Sequence, residues 1–287
     1  MGPSKTVLVT GCSSGIGRAT AERLAARGWT VYATARQPES IKALGDSGCR
    51  LLALDVCDED SMTAAVSDVE RDTGPLDALV NNAGYGEYGA VEEVSLERWR
   101  RQFETNVLGV VRMAQLVLPG MRARRSGRIV NLSSMGGRLV FPGGGAYHAS
   151  KFAIEALSDA LRFEVRPFGI KVVVVEPGLI KTGFGDTVEG TLGYTGPRGG
   201  PYDPLNQAVQ AQVRGAYEGP MGRLAVGPEN VAKVIENALT RRRPRPRYIV
   251  TAGARMVLGT RTVLSDRAFD GFLRTQFKVP KAKTPSG

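Results

Sequence analysis

The chain has 287 residues, of which 42% are apolar and 23% charged, and these proportions argue against a disordered or fibrous protein while allowing one or two globular domains. Its longest apolar runs, such as the four valines at 172–175, are far too short to cross a bilayer, so we expect a soluble, cytoplasmic protein. The net charge of +10 allows binding to nucleic acid or an anionic membrane. The three cysteines lack metal-ligand spacing, which predicts reduced thiols and no metal site.

Short β-branched runs alternate with helical segments such as ATAERLAARG along the first 180 residues. The runs are KTVLVT, TVYATA, RLLALD, LDALVN, GRIVNLS and IKVVVVE. Continuous apolar sequence is typical of strands buried on both faces of a sheet, and the alternation indicates right-handed βαβ units. We therefore predict a single α/β domain over residues 1–287, a doubly wound Rossmann-type parallel sheet with helices on both faces.

The regular alternation stops near residue 183. Residues 183–207 are rich in Gly, Pro and Thr without clear periodicity. Long irregular segments of this kind are usually functional lids or disordered, and we predict irregular structure and a substrate lid at about 183–225. A capped helix is predicted from about Pro228 to Thr240, followed by a last strand, RYIVTA. Apolar residues at helical spacing then predict a C-terminal helical segment, which either packs over the substrate pocket or lies as a basic amphipathic helix at a membrane surface.

A glycine-rich turn, TGCSSGIG, joins the first strand to the first helix. Gly11, Gly15 and Gly17 lack side chains, which lets backbone N–H groups and the helix N-terminus approach a pyrophosphate. Their spacing, G-x-x-x-G-x-G, differs from the G-x-G-x-x-G fingerprint, and a tight turn without a ligand is the alternative. The turn indicates a dinucleotide site without identifying the family.

Two later motifs, NNAG at 81–84 and YHASK at 147–151, follow this turn in order. Together the motifs resemble the short-chain dehydrogenase/reductase family over about residues 5–182. VYATAR, GYGEYGAVEE, VVRMAQLVLPGMR and KTGFG look most like the 17-beta-hydroxysteroid dehydrogenase and retinol dehydrogenase branch. The resemblance implies hydride transfer between nicotinamide and a carbonyl or alcohol, apolar substrates such as steroid-, retinoid- or polyketide-like molecules, and a homodimer or homotetramer.

The resemblance also implies which residues form the site. The implied catalytic residues are Asn106, Ser134, Tyr147 and Lys151. The implied cofactor contacts are Thr10, Gly11, Ser13, Ser14, Gly15, Ile16, Gly17, Asp55, Val56, Asn82, Ala83, Gly84, Tyr147, Lys151, Pro177, Gly178 and Thr182. By the same resemblance, the serine hydrogen-bonds the substrate oxygen and the asparagine holds a water that relays protons to the lysine.

Tyr147 and Lys151 lie four residues apart, so on a helix they share a face. A phenol with a pKa of about 10 is a poor acid–base catalyst near neutrality, and the ammonium, with the positive charge of oxidised nicotinamide, would lower that pKa. His148 is turned by roughly 100° from this face, which predicts a surface or subunit-contact position. The alternatives are a packing tyrosine, a solvated lysine and, for Asn106, a turn or capping residue.

Cofactor choice depends on the end of the second strand. A carboxylate there selects NAD because it bonds the ribose hydroxyls and repels a 2′-phosphate, but this chain has Ala35. Arg36, the next residue, offers a planar cation for a phosphate. These features predict NADP(H) over NAD(H), although Arg36 as a solvated charge is the alternative, and Ser14 occupies the family's other frequent basic position.

The densest basic run, RRRPRPR at 241–247, raises a different class of function. It has no interleaved aromatic residues to stack on bases, so nucleic-acid binding is not expected, and weak contact with a membrane surface is the stronger possibility. Two non-enzymatic functions compete with a dehydrogenase, namely a catalytically silent dinucleotide-binding sensor and a membrane-surface or nucleic-acid adaptor. Retention of Ser134, Tyr147 and Lys151 argues against the sensor.

Overall fold

The computed structural model describes residues 4–182, 200–218 and 225–279. Its sheet has seven parallel strands, in the spatial order β3-β2-β1-β4-β5-β6-β7. The strands are β1 (Thr6–Val9), β2 (Thr30–Ala35), β3 (Arg50–Ala53), β4 (Ala78–Asn81), β5 (Gly127–Leu132), β6 (Ile170–Glu176) and β7 (Arg247–Ile249). They coincide with the runs predicted from the sequence, and the doubly wound α/β fold is confirmed.

Helices connect and cover these strands. They are α1 (Gly15–Ala25), α2 (Lys42–Asp46), α3 (Glu59–Thr73), α4 (Leu96–Phe103), α5 (Gly109–Ala123), α6 (Gly145–Val165), α7 (Asp203–Glu218), α8 (Pro228–Thr240), α9 (Ala252–Val263) and α10 (Asp266–Gln276). A π-helical turn, Glu104–Leu108, joins α4 to α5. None of the described helices is long and apolar enough to cross a membrane.

Two apolar layers enclose the sheet. Val7 and Val9 of β1 pack toward one layer with Leu24 of α1 and Ile235 of α8, whereas Leu8 packs toward the other, with α3, α5 and α6. Successive side chains of a strand point to opposite faces, so a strand covered on both sides is apolar throughout. This explains the continuous apolar runs.

The prediction of irregular structure over 183–225 is wrong for residues 203–218, which form α7. Leu205, Val209 and Val213 repeat every four residues there and pack together, whereas most of the Gly, Pro and Thr residues lie before residue 203. Residues 183–199 and 219–224 of the predicted lid lie outside the described residues, so the lid stays a prediction. The C-terminal segment forms two helices, because Ser265 caps α10 after α9 has ended.

The order of the sheet reverses between β1 and β4, and the crevice outside the carboxyl ends of such strands is where open α/β sheets bind ligands. Behind this crevice, the Asn81 amide donates to Asn131 Oδ1 (2.9 Å), and the Asn131 amide donates to Ser158 Oγ (2.9 Å). These buried bonds tie β4, β5 and α6 into one support for the residues that follow the strands.

Candidate active site

The glycine-rich turn after β1 requires its glycines. Gly11 and Gly15 have φ of 70° and 55°, a region that favours glycine. A Cβ on Gly17 would lie 2.2 Å from the carbonyl oxygen of Gly11, and a Cβ on Gly11 would lie 2.8 Å from Ala83 Cα. The turn is therefore closed tightly against the segment that follows β4.

Helix α1 begins at this turn without a side-chain cap. Ser14 occupies the N-cap position with extended backbone but makes no capping hydrogen bond, whereas Asp58 caps α3 and Ser95 caps α4. The first N–H groups of α1 are thus left available to an anion at the positive end of the helix dipole. The exposed residues Ser13 and Ser14 line the adjoining cavity, so the arrangement fits the pyrophosphate of a dinucleotide.

Thr10 and Gly17 support the turn from behind. Thr10 Oγ1 accepts hydrogen bonds from the backbone N–H groups of Asn82 and Ala83, both at 3.0 Å, and Asn82 Nδ2 donates to the carbonyls of Thr10 and Gly11. Neither Thr10 nor Gly17 is among the described residues that line the cavity. In the structure, Thr10 and Gly17 shape the turn.

A cavity of about 1690 Å³ extends from this turn past the ends of β4, β5 and β6. The residues of the predicted site that line it are Gly11, Ser13, Ser14, Gly15, Ile16, Arg36, Asp55, Val56, Asn82, Ala83, Gly84, Ser134, Tyr147, Lys151, Pro177, Gly178 and Thr182. Pockets for drug-sized ligands span roughly 300–1,000 Å³, so this one has room for a dinucleotide and a second molecule.

Tyr147 and Lys151 converge in this cavity, as the sequence predicts. Both are buried on α6, and Lys151 Nζ donates to the carbonyl oxygen of Leu132 at 2.8 Å. Burial lowers the pKa of Lys151 to about 8, and the carboxylate of Glu155 acts in the opposite direction. The ammonium therefore still predominates at neutral pH. The Tyr147 ring stacks on Tyr88, with centroids 5.7 Å apart.

Ser134 follows β5 and faces the same cavity. Its Oγ accepts a hydrogen bond from the Gly136 N–H at 3.0 Å and caps the short turn Met135–Gly137. The hydroxyl proton can therefore point into the cavity toward a substrate oxygen. The serine and the tyrosine lie on different elements, and the strand end and the helix bring them together.

Asn106 lies in the π-helical turn, behind the cavity lining. Its Nδ2 donates to the Tyr85 carbonyl (3.0 Å) and to Ser150 Oγ (3.1 Å), and its Oδ1 accepts from the Tyr85 N–H (3.1 Å). The amide thus fixes the segment after Gly84 against α6. π-helical turns are frequent at functional sites, and the water relay through Asn106 stays a prediction.

The far end of the cavity is lined by Ala35, Arg36, Asp55 and Val56. Ala35 ends β2, and the exposed Arg36 follows it directly. Asp55 Oδ1 accepts from the Cys57 N–H at 3.0 Å, which orients the segment after β3. This end of the cavity combines an exposed guanidinium with an alanine in place of an acid at the end of β2.

The sequence profile described as short chain dehydrogenase matches residues 5–191. The chain belongs to the short-chain dehydrogenase family. Estradiol 17-beta-dehydrogenase 1 of Rattus norvegicus is 36% identical over 260 residues, covering 86% of this chain and 74% of the relative. NADPH-dependent 3-dehydrocapnine reductase of Ornithobacterium rhinotracheale is 32% identical over 273 residues, covering 92% and 94%.

A solved short-chain dehydrogenase from Streptomyces avermitilis has the same fold, with a TM-score of 0.79, 34% identity and coverage of 97% of this chain and 98% of that one. The family resemblance read from the motifs is confirmed, and the similarity to an estradiol dehydrogenase agrees with the suggested branch. The protein is thus an oxidoreductase of the class that acts on CH–OH or carbonyl groups with NAD(P).

In this short-chain dehydrogenase the prediction for His148 is wrong, because its side chain is 2% exposed. Its Nδ1 lies 2.9 Å from the Gly136 carbonyl oxygen, and its Nε2 accepts from the Phe141 N–H at 3.2 Å. Helical periodicity gave its direction relative to Tyr147 correctly, but the segment after β5 folds over that side of α6. The stretch from Gly136 to His148 has no periodic pattern that predicts this folding of the segment over α6.

An apolar wall of the cavity is absent from the sequence-based site. It is formed by Tyr88, Phe141, Val209 and Phe277, with the Phe141 and Phe277 ring centroids 6.1 Å apart. The four-residue repeat in α7 could have revealed Val209, whereas nothing in the sequence pairs Phe141 with the distant Phe277. The short-chain dehydrogenase thus uses α7 and the end of α10 to line its pocket.

Of the two arrangements predicted for the C-terminal segment, the structure shows packing against the rest of the protein. Leu258 of α9 and Phe269 of α10 are buried against Leu139, in the segment between β5 and α6. Val263 is 84% exposed, and contact of this segment with a membrane stays a prediction.

The basic run ends in an ion-pair network. Arg247 contacts Glu155 (2.9 Å), Asp159 (2.6 Å) and Glu176 (3.4 Å). The backbone of the run also binds the sheet, since the Arg242 carbonyl accepts from Lys171. The run leads into β7 and so lies at the amino edge of the parallel sheet, opposite the cavity.

Proposed function

We propose that this protein is an NADP(H)-dependent carbonyl reductase or alcohol dehydrogenase for a largely apolar substrate. The observation that carries the proposal is the continuous cavity that joins the uncapped start of α1, the Ser134–Tyr147–Lys151 group and the apolar wall. The first of these parts suits a dinucleotide, the second can transfer a proton and the third can enclose a substrate.

In the reductive direction, a bound reduced nicotinamide would supply a hydride to the carbonyl carbon of the substrate, and the carbonyl oxygen would become an alkoxide. Ser134 Oγ donates a hydrogen bond to that oxygen and stabilises its developing charge. Tyr147 donates its hydroxyl proton to the oxygen, which yields the alcohol and a phenolate. The nearby Lys151 ammonium stabilises the phenolate, and in the oxidative direction Tyr147 takes the proton back.

The cofactor preference rests on Ala35 and Arg36. An acid at position 35 would repel a 2′-phosphate, whereas the exposed guanidinium at position 36 can form charge-assisted hydrogen bonds with it. The Ornithobacterium relative is named as an NADPH-dependent reductase, which supports the same cofactor preference.

The apolar substrate rests on the wall that faces the Tyr147 side of the cavity. Tyr88 and Phe277 are buried there beside Val209, so a polar substrate would lose its hydration without gaining partners from this apolar surface. A ketone, aldehyde or alcohol on a steroid-, retinoid- or polyketide-like body suits this surface.

The proposal includes a homodimer or homotetramer, as the family resemblance implies. Phe152 and Phe163 of α6 are 42% and 72% exposed, and eleven residues complete about three helical turns, so they share a face. Leu108, just before α5, is 51% exposed. Burial of this face against a second copy would remove apolar surface from water.

The test is a screen of ketones and aldehydes, run with NADPH and with NADH and followed by the absorbance of the reduced nicotinamide. We expect turnover of bulky apolar carbonyls with NADPH, and loss of that turnover in Tyr147→Phe. Turnover that persists in Tyr147→Phe would refute the proton-transfer assignment. Tight cofactor binding without turnover of any carbonyl or alcohol would support a dinucleotide-binding sensor instead.

A further inference from the structure

The imidazole of His148 links two points of the segment between β5 and α6. A backbone N–H can only donate, so Nε2 must accept from Phe141, and the proton lies on Nδ1, which donates to the Gly136 carbonyl. Burial lowers the pKa of His148, which favours this neutral form. Both ring nitrogens are therefore used in holding backbone.

The surroundings of the ring are closely fitted to it. A Cβ on Gly136 would lie 2.6 Å from Nδ1, and a Cβ on Gly144 would lie 2.6 Å from Nε2, so both positions need glycine. The rings of Tyr147, Phe141 and Tyr88 approach the imidazole edge-on, with centroids 5.6, 5.9 and 6.4 Å away. A side chain of another shape would disturb the segment or these rings.

Gly136 connects the imidazole to the serine of the site. Its N–H donates to Ser134 Oγ at 3.0 Å, and its carbonyl accepts from His148 Nδ1 at 2.9 Å. His148 is also the neighbour of Tyr147 in the chain. A short run of hydrogen bonds thus fixes the hydroxyl of Ser134 relative to the helix that carries Tyr147.

The second hydrogen bond of the imidazole acts on the substrate side. It fixes the backbone of Phe141, whose ring contributes to the apolar wall with Phe277. A single imidazole therefore holds both a polar and an apolar group that would meet a substrate.

We propose that His148 is a positioning residue that holds Ser134 and Phe141 in register with Tyr147. The inference rests on the proposed function, because His148 has this role only if Ser134 and Tyr147 act on the substrate. Direct proton transfer by His148 is disfavoured, since a neutral imidazole with both nitrogens bonded has no free proton to give.

The test compares three substitutions that remove different bonds. His148→Asn can place an amide nitrogen near the position of Nδ1 and keep the bond to Gly136, and His148→Gln can place an oxygen near that of Nε2 and keep the bond to Phe141. His148→Leu removes both. Ala64→Asn, at an exposed position of α3 that does not line the cavity, is the control.

We expect His148→Leu to lower kcat by about tenfold to a hundredfold, because a buried carbonyl of Gly136 and a half-buried N–H of Phe141 lose their partner and Ser134 moves. The Kd for cofactor should stay within about twofold of wild type, since the hydrogen bonds and ring contacts of His148 described above do not involve the α1 turn. kcat is expressed per cofactor-binding site, so that unfolded protein does not count. His148→Asn should keep more activity than His148→Gln because it keeps the connection to Ser134.

A kcat of His148→Leu within about twofold of wild type would overturn the proposal. If His148→Leu does not fold, the kcat values of His148→Asn and His148→Gln decide. A kcat of His148→Gln equal to or above that of His148→Asn would then overturn the proposal. Tyr147→Phe distinguishes failure of this inference from failure of the proposed function. An active Tyr147→Phe refutes the proposed function, whereas an inactive one beside unaffected His148 variants refutes only the role of His148.

Discussion

The Lys151 ammonium lies 5.9 Å from the centroid of the Tyr147 ring, one helical turn along α6. A cation at this distance stabilises phenolate and so favours proton release from the tyrosine. The pKa of Lys151, lowered by burial to about 8, still leaves the cation in place at neutral pH. The helix itself therefore supplies the charge that the proposed proton transfer needs.

Tyr147→Phe should lower kcat by about a hundredfold to ten-thousandfold, because the hydroxyl that donates the proton is lost while the ring is kept. Its Kd for cofactor should be nearly that of wild type. Lys151→Met is the contrasting variant and should impair both kcat and cofactor affinity, since Lys151 stabilises the phenolate in the proposed reaction and is also one of the cofactor contacts that the family resemblance implies. Steady-state kinetics and cofactor titration measure the two effects, and equal loss of cofactor affinity in both variants would contradict the assignment.

The stability of the protein should rise with pH on account of Lys151. Its pKa is about 8 when folded and that of an ordinary lysine, about 10.4, when unfolded, so between these values the unfolded state binds more protons. The cost of burying the charged form is present below pH 8 and is relieved above it. Relative to Lys151→Met, wild type should gain on the order of 2 kcal/mol between about pH 7 and pH 10.

Urea unfolding of the cofactor-free proteins at these two pH values measures the gain. The difference between wild type and Lys151→Met cancels the titrating groups whose pKa does not depend on Lys151. A difference that does not change with pH would mean that the folded lysine keeps its ordinary pKa.

Local patterns in the sequence predict the sheet and the polar part of the site. Tyr147 and Lys151 need only helical periodicity to converge, and the strands need only apolar runs and alternation. The burial of His148 depends instead on the path of the segment after β5. The ion pairs of Arg247 likewise depend on distant sequence, because its partners Glu155 and Asp159 lie 92 and 88 residues earlier in the chain.

The apolar wall was beyond prediction for the same reason. Phe277 reaches the pocket only because α9 and α10 fold back on Leu139. Periodicity reports which residues share a face of one element, and it does not report which other element covers that face.

Phe277→Ala should raise KM for a bulky apolar substrate by about tenfold, with a smaller change in kcat. The reason is that a buried aromatic side chain is removed from the wall, while Ser134 and Tyr147 are untouched. Val263→Ala, at an exposed position of α9, is the matched control. An unchanged KM in Phe277→Ala would show that substrate does not contact this wall.

Phe163→Asp should shift the protein toward a smaller species in light scattering or sedimentation. The side chain is 72% exposed, so the substitution removes few contacts within the subunit but would place a charge in the proposed subunit contact. Glu164→Asp, at the exposed neighbouring position, should leave the mass unchanged. An unaltered mass for Phe163→Asp would mean that this face of α6 is not the contact.

Arg36→Ala should weaken NADPH binding by roughly tenfold to a hundredfold and leave NADH binding almost unchanged. The magnitude follows from the loss of one charge-assisted contact with a phosphate, worth about 1.5–3 kcal/mol. Lys42→Ala removes an equal charge from the exposed start of α2 and serves as the control for general electrostatic attraction.

Ala35→Asp is the converse change and should repel the 2′-phosphate while offering the ribose hydroxyls of NADH an acceptor. Dissociation constants of both cofactors for these variants decide the point. If wild type binds NADH as tightly as NADPH, or if Arg36→Ala loses both equally, the guanidinium does not select the cofactor.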